Sequence, residues 1–259
     1  MQLLSLLVLF LLFPNSHSQL KLQPAASVPQ SDRAIVTPRK VVIVRRAALI
    51  KGFPEKKTAT VTYPVISGLK DPTILRRVQS ILQIKNVFDT SLDEYRQDRW
   101  LDEFGYQVNY NKNNFLDITF TQSGSAAYPD THTKHFAINL KNGSVIKAAD
   151  AFETDKQTTL SAMVNRKLQN ELRKILADLG ASKSDPEDIR IAKEAGEVLE
   201  FKTENLDDFS VGDRGITFLY DAGYPHVIQA FEPVGRYFFS YAELKPYIKR
   251  DGILGQFVD

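Results

Sequence analysis

The chain has 259 residues, with 33 Lys and Arg against 31 Asp and Glu, a net charge of +2 and no cysteine. Near-neutral charge gives no basic field of the size a nucleic-acid partner needs, and the missing thiols exclude disulfides, cysteine nucleophiles, thiolate metal sites and a lipid-modified cysteine. An apolar content of 43% is ordinary for a globular protein, so stability has to come from a packed core.

Leu3 to Phe13 is an apolar run of eleven residues, the size of a signal-peptide core and short of the roughly 20 that a spanning helix needs. Ser16 and Ser18 suit a cut before Gln19, so residues 1–18 read as a signal peptide. The leading Met1-Gln2 has no Lys or Arg, which leaves an uncleaved anchor or a mis-called start as the alternative. Residues 19–38, rich in Pro, Ala, Ser and Gln, read as a flexible linker. Arg33, Arg39, Lys40, Arg45, Arg46, Lys51, Lys56 and Lys57 crowd the stretch that follows, with Glu55 as the acid among them. They are expected to form the solvated face of an edge hairpin.

Val41 to Ile50 and Thr58 to Ile66 are β-branched runs joined by Gly52-Phe53-Pro54-Glu55, an antiparallel pair. Asp71-Pro72 opens a helix with Ile74, Val78, Ile81 and Leu82 on one face, fraying near Asp89. Tyr106 to Tyr110 and Phe115 to Phe120 alternate across the polar turn Asn111 to Asn114, a hairpin. His135 to Leu140 is a further strand, which ends at Lys141-Asn142-Gly143, and Val145 to Lys147 resumes it briefly.

Leu160, Val164, Leu168, Leu172, Ile175, Leu176 and Leu179 recur every three or four residues, so Thr158 to Leu179 is the longest helix, with Gly180 as its C-cap. Glu187 to Glu197 is a shorter helix. Phe209 to Tyr220 and Val227 to Phe231 read as a second hairpin about Asp221-Ala222-Gly223, and Ser240-Tyr241-Ala242-Glu243 has the form of a capping box. The fold class is α+β, largely antiparallel sheets packed with a few helices. It divides into an N-terminal subdomain over residues 39–152 and a C-terminal one over residues 153–259.

Catalytic signatures are scarce. Gly124-Ser125 lacks the frame of a nucleophile elbow, and neither a phosphate-cradling loop nor a dinucleotide fingerprint occurs. Asp130 to His135 gathers a carboxylate and two imidazoles, residue types that bind zinc. The odd spacing of His132 and His135, however, sends them to opposite faces of a strand, so no metal site and no cofactor is assigned. Asp93, Glu94, Asp102 and Glu103 read as a solvated face rather than an acid–base pair. Tyr128 beside Pro129, and Tyr224 beside Pro225-His226, are loop tyrosines suited to a contact surface. The ligand-contact candidates are Tyr128, Asp130, His132, His135, Tyr224 and His226.

The order of elements, through Thr62-Tyr63-Pro64-Val65-Ile66-Ser67-Gly68-Leu69, Tyr106 to Phe120, Asn139-Leu140-Lys141-Asn142-Gly143, Gly215 to Tyr220 and Tyr241 to Ile248, resembles the paired domains of unknown function 4163 and 3298. Such domains form the exported regions of RsiV-like anti-sigma factors and of the peptidoglycan deacetylase PdaC. The resemblance covers roughly residues 58 to 250 and implies an extracytoplasmic α+β module that looks like a receptor for lysozyme. No sigma-binding segment and no deacetylase domain is read in this sequence, so neither signalling nor amide hydrolysis is carried over. Pro225 to Phe231 also departs from the glycine-bearing pattern expected before the last helix. The expectation is a secreted or periplasmic protein, not an enzyme, that binds a peptidoglycan fragment or a lysozyme-like protein and has no nucleic-acid partner and no span after signal cleavage. A glycan-modifying hydrolase with an unrecognised site is the alternative.

Overall fold

The computed structural model describes residues 32–126, 128–182 and 184–258, less the side chain of His226. The expected signal peptide and most of the expected linker therefore lie outside the described residues. A six-stranded sheet carries the strands in chain order: β1 (Ile35–Val44), β2 (Thr58–Ser67), β3 (Leu101–Lys112), β4 (Phe115–Ser125), β5 (Pro129–Asn139) and β6 (Ser144–Val145). All neighbours are antiparallel except β2 and β3, which run parallel over Thr60 opposite Glu103 and Val61 opposite Phe104. A parallel pair needs a long crossover, and here three short helices supply it: α1 (Pro72–Ile81), α2 (Ile84–Phe88) and α3 (Leu92–Gln97).

Local chemistry accounts for most of the boundaries. The Asp71 side chain accepts from the amides of Thr73 and Ile74 at the start of α1, with Pro72 in the first turn, where its missing N–H costs nothing. The expected single helix to Asp89 is instead broken at Gln83, whose extended backbone restarts the chain as α2. Asp89 then closes α2 in the left-handed region, at φ 54°. Ser91 and Glu94 form a reciprocal capping box on α3. The β3–β4 turn is only Asn113-Asn114, at φ 56° and 61°, the double left-handed geometry that matches the twist of a hairpin.

Beyond α4 (Ala148–Ala151) run the long α5 (Gln157–Ala181), α6 (Pro186–Glu197), a three-stranded antiparallel sheet of β7 (Phe209–Val211), β8 (Gly215–Leu219) and β9 (Arg236–Ser240), and α7 (Tyr241–Leu244). Leu160, Val164, Leu168 and Leu172 of α5 pack with Phe152, Phe201, Phe209, Phe218 and Phe239 in one core. The other core joins α1–α3 to Val61, Phe104, Leu116, Ile118, Phe120 and Ile138 of the larger sheet. Strand β4 serves both: Leu116 and Ile118 face the helical core while Phe115 faces the second one, and all three are inaccessible to solvent. Burial on this scale contributes about 1.5–3 kcal/mol for each such side chain before entropy is counted.

Four expectations need correction. Residues 32–38 are ordered, not linker: Ala34 is buried and its amide donates to Asn111 Oδ1 at 3.0 Å, and β1 begins at Ile35. Arg45 and Lys56 are not on a solvated face, being 4% and 8% exposed. Arg45 donates to the carbonyls of Asp98, Lys56 and Leu101, and Lys56 pairs with Asp102 at 2.6 Å. Gly180 does not cap α5, because it lies inside the helix and Ser182 takes the cap. Val227 to Phe231 is no strand but part of a 3-10 turn over His226–Phe231. It is set off by Pro225 at its start and leaves Val227 85% exposed, and β8 pairs instead with β9 further on.

Candidate functional site

A buried polar joint links the two sheets. Asp117 stands in β4 on the face opposite Leu116 and Ile118, and its carboxylate is wholly buried. Such a group is costly unless its lone pairs are filled. Oδ1 accepts from Asn109 Nδ2 at 2.7 Å and Ser210 Oγ at 3.1 Å and faces His135 Nε2 at 2.8 Å, while Oδ2 accepts from the Val211 amide at 2.7 Å. Asn109 and His135 come from the larger sheet, Ser210 and Val211 from the smaller. The other ring nitrogen of His135 lies 3.2 Å from Asp208. Burial alone lowers the imidazole pKa. Hydrogen bonds to Asp117 and Asp208, with their negative charge, overrule it and push the ring up to about 9, so it is an imidazolium at neutral pH.

Ser210, His135 and Asp117 are the residue types of a serine hydrolase, but the connections differ. The Ser210 hydroxyl donates to Asp117 rather than to the ring, and both ring nitrogens face carboxylates, so no nitrogen is left to take the serine proton. What this arrangement does chemically is clamp β4 and β5 to β7.

Beside the joint opens a cleft between the N-terminal half of β5 and the segment that follows β8. It comprises adjoining cavities of about 290 and 580 Å³ that share Thr131, Asp221 and Glu232. Tyr128, Asp130, His132 and Tyr224, four of the six residues expected from sequence, line the larger cavity together. His135 lines the smaller with Asp208. Pro225 belongs to the larger wall, and the neighbouring His226 side chain lies outside the described structure. His132 and His135 do point to opposite faces of β5, one into each cavity. Among the described residues no group of three or more His, Asp or Glu is placed to hold a metal ion.

The walls are set by local geometry. Trp100 packs its ring against His132 at 5.4 Å, and the imidazole lies 3.1 Å from Asp130. Trp100 is held against β4 because Ser125 donates to its carbonyl at 3.0 Å, and Gly124 leaves the space: a Cβ there would lie 2.1 Å from that oxygen. On the opposite wall Asp221 Oδ1 accepts from the Gly223 amide at 2.8 Å, and Glu232 Oε1 accepts from the Tyr224 amide at 3.3 Å. Gly235, at φ 65°, returns the chain to β9 with its carbonyl accepting from Tyr220 at 2.9 Å. Among the described residues the buried Tyr224 hydroxyl has no hydrogen-bond partner, and burial, then Glu232 and Tyr220, push its pKa up.

Sequence reasoning missed Trp100, Asp221 and Glu232 in the cleft and Asp117, Asp208 and Ser210 in the joint. Asp117 did carry a signal, an acid in the otherwise apolar or hydroxylic strand Phe115 to Phe120. The other five become neighbours only when the two sheets meet.

No protein-family model and no curated protein matches the sequence. Solved structures do. A member of the domain of unknown function 3298 family from Bacteroides fragilis superposes with a TM-score of 0.53 at 13% identity, over 88% of this chain and 98% of that one. A protein of the same family from Pseudomonas aeruginosa gives 0.50 at 13% identity, over 86% and 95%. At this identity the likeness speaks for architecture, and it does not show the 4163 partner domain. These TM-scores with near-complete mutual coverage mean that this chain has the fold of the domain of unknown function 3298 family.

Proposed function

We propose that the chain is an exported, non-catalytic binding or sensing domain of the bacterial cell envelope, taking a glycan or a lysozyme-like protein in the cleft between β5 and the segment after β8. The observation that carries this reading is the convergence, from three separate stretches, of Trp100, Tyr128 and Tyr224 with Asp130, Asp221 and Glu232 around one open cavity. Aromatic walls offer broad apolar contact and the carboxylates accept hydrogen bonds from hydroxyls or cations, the composition of a recognition site. The apolar run Leu3 to Phe13 supports export. No helix among the described residues is long and apolar enough to cross a membrane. The hydrolase alternative draws less support, because the histidine best placed for proton transfer, His135, has both nitrogens engaged.

Titration of the full chain with purified muropeptides and with lysozyme, combined with product analysis, tests the reading. Saturable binding without turnover, weakened at least tenfold by Tyr128→Ala, is the expected result. Release of a modified sugar, or binding indifferent to Tyr128→Ala, overturns it.

A further inference from the structure

Strand β1 forms one edge of the larger sheet, with β2 on one side and nothing among the described residues paired on the other. Two hydrogen bonds fix which of its backbone groups turn outward. The Arg45 amide, one residue past the strand, donates to the Lys57 carbonyl at 2.9 Å, so the odd-numbered residues bond to β2 and the even-numbered ones turn N–H and C=O away from it. Ile66, opposite Val36, agrees: its carbonyl faces away from β1 and accepts from Gln79 Nε2 at 2.8 Å. The outward row is therefore Val36, Pro38, Lys40, Val42 and Val44, and its amides and carbonyls have no partner among the described residues. Val42 and Val44 also leave their side chains 54% and 59% exposed.

Such a row is matched by the backbone of another extended strand, and charge selects which one. Two antiparallel copies of β1 related by a two-fold axis must set outward residues opposite outward residues, so the axis passes through a residue rather than between two. An axis at Arg39 or Lys40 sets that residue against itself, one at Val42 sets Arg39 against Arg45, and one at Ile43 sets Lys40 against Arg46, like charges directly opposed in every case. An axis at Val41 sets Lys40 against Val42, Arg39 against Ile43 and Pro38 against Val44, with no like charges opposed. The Lys40 stem and the Pro38 ring of one copy then cover the two exposed valines of the other. We propose that two copies of this chain join β1 to β1, antiparallel about a two-fold axis at Val41, and so continue the larger sheet through the interface.

The edge is smaller than a standard interface, so association is expected in the range of about 10–500 μM. Sedimentation equilibrium of the full chain over that range should show monomer and dimer. Val42→Lys, at an exposed site where the new charge faces Lys40 of the other copy, should weaken the dimer at least tenfold while the melting temperature of the dilute protein stays unchanged. Because the chain has no cysteine, Val41→Cys supplies a single thiol, whose Cα would lie about 4.5 Å from its symmetry mate in a non-hydrogen-bonded pair. Mild oxidation should link that variant into a dimer, whereas Val227→Cys, at an exposed site away from β1, should link no more than background. A chain that remains monomeric at about 500 μM overturns the inference. So does a dimer that Val42→Lys leaves intact, or one that Val227→Cys links as readily as Val41→Cys.

Discussion

Raising the pH from 6 to 10 should loosen the joint between the two sheets, and the size of the effect follows from His135. Its ring is 4% exposed between Asp117 and Asp208 and its pKa is raised from 6.5 to about 9. That displacement corresponds to about 3 kcal/mol of preference for the charged ring in the folded state. Because the folded value lies above the unfolded one, the contribution is complete below about pH 6.5 and is lost as the pH rises through about 9. Other groups titrate over the same range, so the comparison is with His135→Gln, which keeps an amide donor and has nothing to titrate. Urea unfolding, followed by the fluorescence of the single Trp100 and by far-ultraviolet circular dichroism, should show the gap between parent and variant shrinking by about 3 kcal/mol from pH 6 to pH 10. At a slope of about 2 kcal/mol per molar urea this is a midpoint change of about 1.5 M. A gap constant to within about 0.5 kcal/mol, or an imidazole resonance of His135 titrating near the unfolded value, would refute the reasoning.

Arg45→Ala removes a buried cation whose three carbonyl acceptors then go unfilled, and should cost about 3–5 kcal/mol by chemical denaturation. Arg45→Lys, with a single point of charge, should recover only part of that loss. Gly235→Ala forces a Cβ to 1.9 Å from the Tyr220 carbonyl in a left-handed backbone, and should cost about 2–4 kcal/mol in the same assay while Gly223→Ala, with open space around it, costs less. Tyr224→Phe deletes a buried hydroxyl that has no partner among the described residues and should raise the melting temperature by about 2–4 °C, the equivalent of about 1 kcal/mol; a fall instead would mean that the hydroxyl is paired in solution.

How legible each part was depended on how local its cause is. The capping box at Ser240 and Glu243, the Asn113-Asn114 hairpin and the long amphipathic α5 are set by neighbours within a few residues, and the sequence pattern placed them. The burial of Arg45 and Lys56 is not local: it follows from the approach of Asp98 to Asp102 across more than forty positions, and composition reads the same residues as a charged surface. The 3-10 turn over His226–Phe231 contains a β-branched, apolar run that resembles a strand, yet tertiary pairing gives the edge of β8 to Arg236–Ser240 instead. For the cleft, loop tyrosines beside prolines were a usable signal for Tyr128 and Tyr224. Nothing in their own neighbourhoods announced that they would face each other.

The sharing of β4 between the two cores orders events in the life of a nascent chain. Every buried member of the first core lies between Ala34 and Leu140, whereas the second draws on Tyr110 and Phe115 and also on Leu254 and Val258, with Phe257 stacked on Tyr241. We expect the larger sheet to assemble while the second half is still being synthesised, holding one greasy face in wait until the final turn emerges. Arrest-peptide force profiles should then register two separated pulls, and one pull near full length would rule that sequence out. Over that interval the waiting face is open to chaperones.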